Sequence, residues 1–288
     1  MNWIAKKISV GQITLYVILI LASLSMILPF LHVISVSVSS RISVEAEKVL
    51  LWPVDFTWDS YKYVFSKKDL MRSFGVNTFI TVVGTLNSMF FTVLLAYSLA
   101  KREFLIRKQV MLLVLFTMIF HAPIVPYFLT VKAMGLMNSV WALIIPLTIN
   151  AFNLILVRVF FMQIPKELEE AATIDGCNDL SVLFRVFLPV SKPVLATVGL
   201  FYAVAFWNIF YHALLFIYDK RLEPLQVKIR NYFATPEAMM MDNFLTVNYN
   251  IQTLQMATVM VATLPILILY PFLQKYFIHG AMLGSVKE

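Results

Sequence analysis

PKELEEAATIDGCNDLSVLFRVFLPVSKP, the stretch Pro165–Pro193, places Glu167, Glu169, Glu170, Asp175 and Asp179 in a chain that is otherwise strongly apolar. Pro165 stands where a first-turn proline is favoured, and the acidic residues behind it complement the positive end of a helix dipole. Leu168, Ala171, Ala172 and Asp175 follow at i, i+3, i+4 and i+7. One helix face is therefore narrow and built mostly of small side chains, over which another surface can close tightly. Gly176 predicts the end of that helix in the left-handed conformation. Asn178 or Asp179 then caps a second helix, Leu180–Phe187, which Pro189 stops. The local reading is helix, turn, helix. As a plain lipid-facing connector it would avoid carboxylates beside anionic head groups.

On both sides of this segment the composition is that of a membrane protein. Of 288 residues, 60% are hydrophobic and 14% charged, with 24 Phe and a mean hydropathy of +0.80, well above the apolar share of soluble domains. A hydrocarbon core about 30 Å thick takes roughly 20 apolar residues per spanning helix. Six runs free of Asp, Glu, Lys and Arg reach about that length: Ile13–Val36, Phe74–Ala100, Val110–Val131, Ser139–Val157, Val194–Tyr218 and Ile251–Leu273. The expectation is one all-α transmembrane domain over residues 1–288, with the charged segment 163–190 between the fourth and fifth spans. Lys6 and Lys7 before an apolar run also open secretory signals, but this run exceeds the roughly 7–15 residues of a signal core, so it reads as the first span.

An even number of spans puts both termini on one side. Lys101, Arg102, Arg107 and Lys108 after the second span, against Lys132 alone after the third, place that side in the cytoplasm, although Lys67, Lys68 and Arg72 weaken the contrast. The excess of 23 basic over 16 acidic residues, +7 in all, suits anionic lipid. It does not indicate nucleic acid, since no basic stripe with interleaved aromatics stands clear of the membrane flanks. Trp52, Trp58, Tyr61 and Tyr63 in LWPVDFTWDSYKYVF suit a segment lying on the bilayer surface. The lone Cys177 forms no internal disulfide.

The sequence carries no Walker phosphate loop and no HExxH, GxSxG or CxxC signature, so ATP hydrolysis and a metal site are not expected of this chain. The spans contain no carboxylate, which disfavours ion-coupled carriers and intramembrane aspartyl proteases. Their polarity is uncharged. Asn77, Thr81, Thr85, Asn87, Asn150, Asn153, Asn208 and His212 are expected to bond across helices and jointly permit a neutral polar pathway. Pro123 and Pro126, with His121, predict a kink in the third span. Gly84 with Ser88, and Ala96 with Ala100, predict close helix approach. His32 is expected to be a satisfied residue at the outer end of the first span.

Glu170, Ala171, Ala172, Asp175 and Gly176, then nine residues to Val186 with Leu188 and Pro189, match the coupling-loop motif EAA, two residues, DG, nine residues, IxLP of importer-type ABC permeases, with Val for Ile as the one departure. The likeness extends through NTFITVVGTLNSMFFTVLLAYSLAKREF at Asn77, FWNIFYHALLF at Phe206 and LQKYFIHGAMLGSVKE at the end. The chain resembles the carbohydrate branch, maltose-type second permeases and permeases for complex oligosaccharides. That resemblance implies a type I ABC importer permease fold in the bacterial cytoplasmic membrane, six transmembrane helices with both termini cytoplasmic. It implies a cytoplasmic coupling helix whose ATPase contacts are Glu170, Ala171, Ala172, Asp175, Gly176, Leu188 and Pro189. The implied partners are a second, non-identical permease, a cytoplasmic ATPase dimer that holds ATP and Mg, an extracytoplasmic solute-binding protein and membrane lipid. No cofactor or metal is expected on this chain itself. Asn150, Asn153, Trp207, Asn208 and Tyr211 are the expected pathway lining, amides beside the aromatic faces a sugar ring wants. The alternatives left open are an ABC permease for a non-sugar solute and an ATP-independent carrier.

Overall fold

The structure, a computed structural model, describes residues 10–120, 122–235 and 249–283. The chain divides into two compact units, one built from the residues up to Lys68 with Ile229–Thr263, the other from Asp69–Lys228 with the segment from Leu264 on.

In the first unit α1, Val10–Ser37, is apolar on every side and exposed from Gly11 to Leu31, as a helix bathed in lipid is. Ser23 and Ser25 donate to the carbonyls of Leu19 and Ala22, both at 2.8 Å, so neither of these hydroxyls meets hydrocarbon unpaired. The end of α1 is tied to the following loop. Ser35 Oγ donates to Leu51 O at 2.7 Å, Val54 N–H donates to Ser39 Oγ at 3.0 Å, and His32 Nδ1 lies 2.6 Å from Leu50 O. His32 is thus satisfied as expected. Val36, Val44 and Val49 form a small core with Val54 and Met256. In the same loop come α2, Arg41–Glu45, and α3, Asp59–Ser66, with Trp52 and Trp58 exposed and Tyr61 bonded to Ser37 Oγ at 2.9 Å.

The second unit is organised on α4, Lys68–Ala100. Its buried residues Leu70, Ser73, Asn77, Ile80, Gly84, Ser88, Thr92, Ala96 and Leu99 recur every three or four positions, one face in which small and polar groups alternate with Leu and Ile and onto which other helices close. After α4 come α5, Arg107–Ile119, and α6, Ile124–Ala133. Next are α7, Trp141–Ile144, with a 3-10 turn, Ile145–Leu147, and α8, Ala151–Met162. The hairpin segment holds α9, Lys166–Ile174, α10, Asp179–Val182, a π-helical turn, Leu183–Phe187, and α11, Leu188–Val190. Then follow α12, Lys192–Trp207, and α13, Tyr211–Phe216, while α14, Leu225–Ala234, and α15, Ile251–Leu283, each contribute residues to both units.

Among the described residues, three of the six expected spans are continuous helices long and apolar enough to cross a bilayer: Gly11–Ser37, Lys68–Ala100 and Ile251–Ile268. The expected third span, Val110–Val131, is instead α5 and α6, too short singly. The break is outright because Pro123 caps α6 and Pro126 sits in its first turn, where a missing N–H costs nothing. His121 lies outside the described residues. The fourth span, expected over Ser139–Val157, breaks by 47° between Leu147 and Ala151 and runs on to Met162. The fifth, expected over Val194–Tyr218, ends its long helix at Trp207 and resumes at Tyr211.

Close approach is realised at Gly84. A Cβ added there would meet the Phe206 ring at 2.9 Å, whereas one on Gly75 of the same helix meets nothing within 4 Å. Gly84→Ala therefore overpacks, at about 1–3 kcal/mol, against a helix-propensity gain of about 1 kcal/mol. Gly75→Ala keeps only the gain. Thermal melts in detergent are expected to show Gly84→Ala below and Gly75→Ala at or above the unsubstituted protein.

Candidate functional site

The charged stretch folds as a helix, a tight turn and a second helix. Pro165 caps α9 rather than opening it, and no residue of α9 is buried. At its end Gly176 takes φ +82°, Cys177 N–H donates to Ala172 O and Gly176 N–H to Thr173 O, both at 3.0 Å. This pair of bonds is a Schellman closure, and the positive φ is why glycine stands there. Asn178 is the cap of α10, its Oδ1 accepting from Ser181 N–H at 2.8 Å.

The second helix does not stop at Pro189 as expected. It continues through the π-helical turn to Val190 and bends by 86° into α12. The widened turn, in which Leu188 N–H donates to Leu183 O, absorbs a proline that has no N–H and would clash with a regular α-helical carbonyl. Of the motif residues, Glu170, Ala171, Asp175, Gly176 and Pro189 are exposed, while Ala172 and Leu188 are half-buried. The hairpin thus presents its small and acidic residues outward.

What anchors the hairpin was not legible in the motif. Lys101, directly after α4, forms an ion pair with Glu169 and lies 3.7 Å from Asp179. Its ammonium sits 4.7 Å above the Tyr97 ring and 5.9 Å from that of Phe187. Tyr97 OH donates to Asp179 O at 3.1 Å, and the Tyr97 and Phe187 rings meet edge to face at 4.9 Å. One cation therefore joins both arms of the hairpin to the end of α4. Burial pulls the Lys101 pKa down, but the bonds to Glu169 and Tyr97 outweigh it and the net shift is upward. A raised lysine pKa means stabilisation fully present below the ordinary lysine value and lost only as pH climbs through the raised one, so the junction is insensitive to pH near neutrality. Arg158 Nε donates to Leu99 O at 3.0 Å, capping α4 from α8.

A second constellation forms where the spans break. Asn150 Oδ1 accepts from Asn153 N–H at 3.1 Å, capping α8, and Asn150 N–H donates to Tyr202 OH at 3.0 Å. Tyr202 OH is also 2.7 Å from Thr92 Oγ1, and Asn87 Nδ2 donates to Thr148 Oγ1 at 2.8 Å. Side chains of α4 and α12 thereby satisfy backbone and hydroxyl groups that the break frees, the condition for irregular backbone at membrane depth. Asn150, Asn153, Phe152, Phe201, Tyr202 and Phe206 line a cavity of about 430 Å³ beside this break.

The expected pathway residues do not all converge. Asn150 and Asn153 share that cavity. Trp207 is buried against Phe74, ring centroids 5.7 Å apart, and lines a separate apolar cavity of about 640 Å³. Its carbonyl accepts from Asn77 Nδ2 at 3.1 Å, the interhelical bond expected of a membrane amide. Asn208 is exposed and bonded to Val204 O at 2.9 Å, and Tyr211 is 56% exposed in α13. Neither lines either cavity. Tyr202 was missed, since a tyrosine in an apolar run gives no sign of a partner far away in the sequence.

Residues 78–281 match the family model described as binding-protein-dependent transport system inner membrane component. The polygalacturonan/rhamnogalacturonan transport system permease protein YtcP of Bacillus subtilis is 45% identical over 276 residues, covering 95% of this chain and 96% of the relative. Protein LplC of Bacillus subtilis is 47% identical over 263 residues, covering 91% and 89%. A solved bacterial ABC transporter involved in the import of the acidic polysaccharide alginate contains a chain that superimposes with a TM-score of 0.89 at 32% identity, covering 96% of this chain and 100% of that one. The likeness is that of transport subunits with the type I ABC importer permease fold and no catalytic role. By a family match over most of its length, the chain belongs to the binding-protein-dependent transport system inner membrane component family of ABC importer permeases.

Proposed function

We propose that this chain is one of two non-identical permease halves of an ATP-driven importer for oligosaccharides, and that α9 is its coupling helix. The observation that carries the reading is the exposed, Schellman-closed hairpin tip, Glu170, Ala171, Asp175 and Gly176, held on the end of α4 by Lys101. The whole chain acts as one permease domain with both termini cytoplasmic. ATP and Mg belong to the partner ATPase, whose groove receives the hairpin, and a solute-binding protein delivers substrate from the other side.

A helix docked this way is a lever. ATPase closure shifts the groove, and a junction that ties both hairpin arms to α4 passes the shift to the spans. Docking must differ in affinity between the inward- and outward-open states, because equal affinity would move nothing.

The relative named for polygalacturonan/rhamnogalacturonan transport, and the neighbour named for alginate import, support a uronic-acid-containing oligosaccharide as the substrate class. The cavity at the fourth-span break contributes amide, phenol and aromatic surface but no cation. In it a sugar meets hydroxyl-binding groups, and the counter-charge for a carboxylate comes from another subunit.

Two experiments test the coupling role. A pull-down of the tagged protein from its native membranes in mild detergent is expected to bring an ATPase and a second permease, and Gly176→Asp to lose the ATPase while the permease pair stays together. Recovery of the chain alone, or full uptake by Gly176→Asp, sinks the reading. Lys101→Met leaves the docking residues intact, so the ATPase still co-purifies. Removing one partner of a half-buried pair costs about 1–3 kcal/mol, and uptake of an oligogalacturonide is expected to fall about tenfold or more, with Lys101→Arg partly restoring it. Normal uptake by Lys101→Met would show that the junction transmits nothing.

A further inference from the structure

A cleft of about 1090 Å³ opens where α4 ends, between α5, α8 and α9. Its lining includes Lys101, Arg102, Arg107, Lys108, Arg158 and Lys166 against the carboxylates Glu103, Glu169 and Glu170. Internal partners account for part of this charge. Glu169 neutralises Lys101, Arg158 and Arg107 donate to the carbonyls of Leu99 and Lys101, and Glu103 lies in the field of Lys101 and Lys166. Arg102, Arg107 and Lys108 form no ion pair among the described residues. Three neighbouring cations thus face one cleft without a carboxylate partner. The first turn of α5 carries no acidic residue either, so the helix dipole adds to the positive potential.

The wall beside these cations is apolar. Met111, Leu112 and Leu115 climb α5 one and two turns beyond Lys108, with Leu112 71% and Leu115 43% exposed, and Met162 faces them from α8 at 56% exposed. The cleft is therefore polar at the membrane boundary and apolar towards the bilayer interior. A soluble anion touches only the cations. A molecule with a phosphodiester and acyl chains touches both.

We propose that this cleft is a binding site for an anionic phospholipid, its phosphate held by Arg102, Arg107 and Lys108 and its chains laid along Met111, Leu112 and Leu115. The assignment rests on the cytoplasmic placement of this end of the spans, where anionic lipid presents its head groups and basic recesses between spans attract them. Lipid in the cleft lies against α9, so its occupancy bears on the position of the hairpin that Lys101 anchors.

The test is native mass spectrometry of the whole transport complex in mild detergent, titrated with phosphatidylglycerol, phosphatidylcholine or inorganic phosphate. Phosphatidylglycerol is expected to be retained about tenfold better than phosphatidylcholine, and inorganic phosphate not to displace it. Arg102→Gln with Lys108→Gln is expected to abolish that preference with the subunit composition unchanged. Lys48→Gln with Lys220→Gln, which removes equal charge at exposed positions elsewhere, is expected to keep it. Equal retention of the two lipids, displacement by inorganic phosphate, or a preference surviving the Arg102/Lys108 change overturns the site. So does loss of the ATPase from that variant with lipid preference intact, which would make the cleft a protein interface. Failure of the coupling role is read separately, from Gly176→Asp.

Discussion

Hydrocarbon cannot hydrogen-bond, so every backbone group that enters it must find its partner within the protein. Much of this structure follows from that constraint. Where α1 and α4 run unbroken the helix itself supplies the bonds, and Ser23 and Ser25 return their hydroxyls to the preceding turn. Where the fourth span breaks at Thr148–Asn150, partners come from outside the segment: Tyr202 for the Asn150 N–H and Asn87 for the Thr148 hydroxyl. That break lies where side chains of α4 and α12 reach it. The close packing is itself made possible by the small residues on α4, with Gly84 lying under the Phe206 ring.

The hairpin obeys the opposite rule. It carries carboxylates, exposes nearly all of α9 and closes its turn by backbone bonds rather than by burial, so its shape is set locally while its position is set by contacts at its base. A rigid tip on an anchored base is what a docking lever requires. An apolar connector would bury its face in lipid, and a free loop would take up a push without passing it on. Lys101 suits the base because a single ammonium serves Glu169, Asp179 and two aromatic faces at once.

The two halves of the candidate pathway differ in how far they converge. Asn150 and Asn153 are brought together because one caps the helix on which the other lies. Trp207, Asn208 and Tyr211 are close in sequence but fall on either side of a helix end, so one is buried and two are exposed. Proximity in sequence is poor evidence of a shared site where a helix breaks, since the periodicity that aligns side chains stops there.

The sequence by itself determined what depends on short range. Apolar run length called for a membrane, the EAA–DG spacing called for a helix closed by a left-handed glycine, and the amides at Asn77 and Asn87 called for bonds between helices. Each is a matter of local conformational energy or of transfer from water, and each was legible. The tertiary structure decided the rest. That Glu169 meets Lys101 across 68 residues, that Tyr202 reaches Asn150 across 52 and approaches Thr92 across 110, and that the helix runs through Pro189 depends on which helices lie side by side. No periodicity encodes that choice, because a side chain's long-range partner is fixed by packing geometry, and packing is settled only when the whole chain has closed.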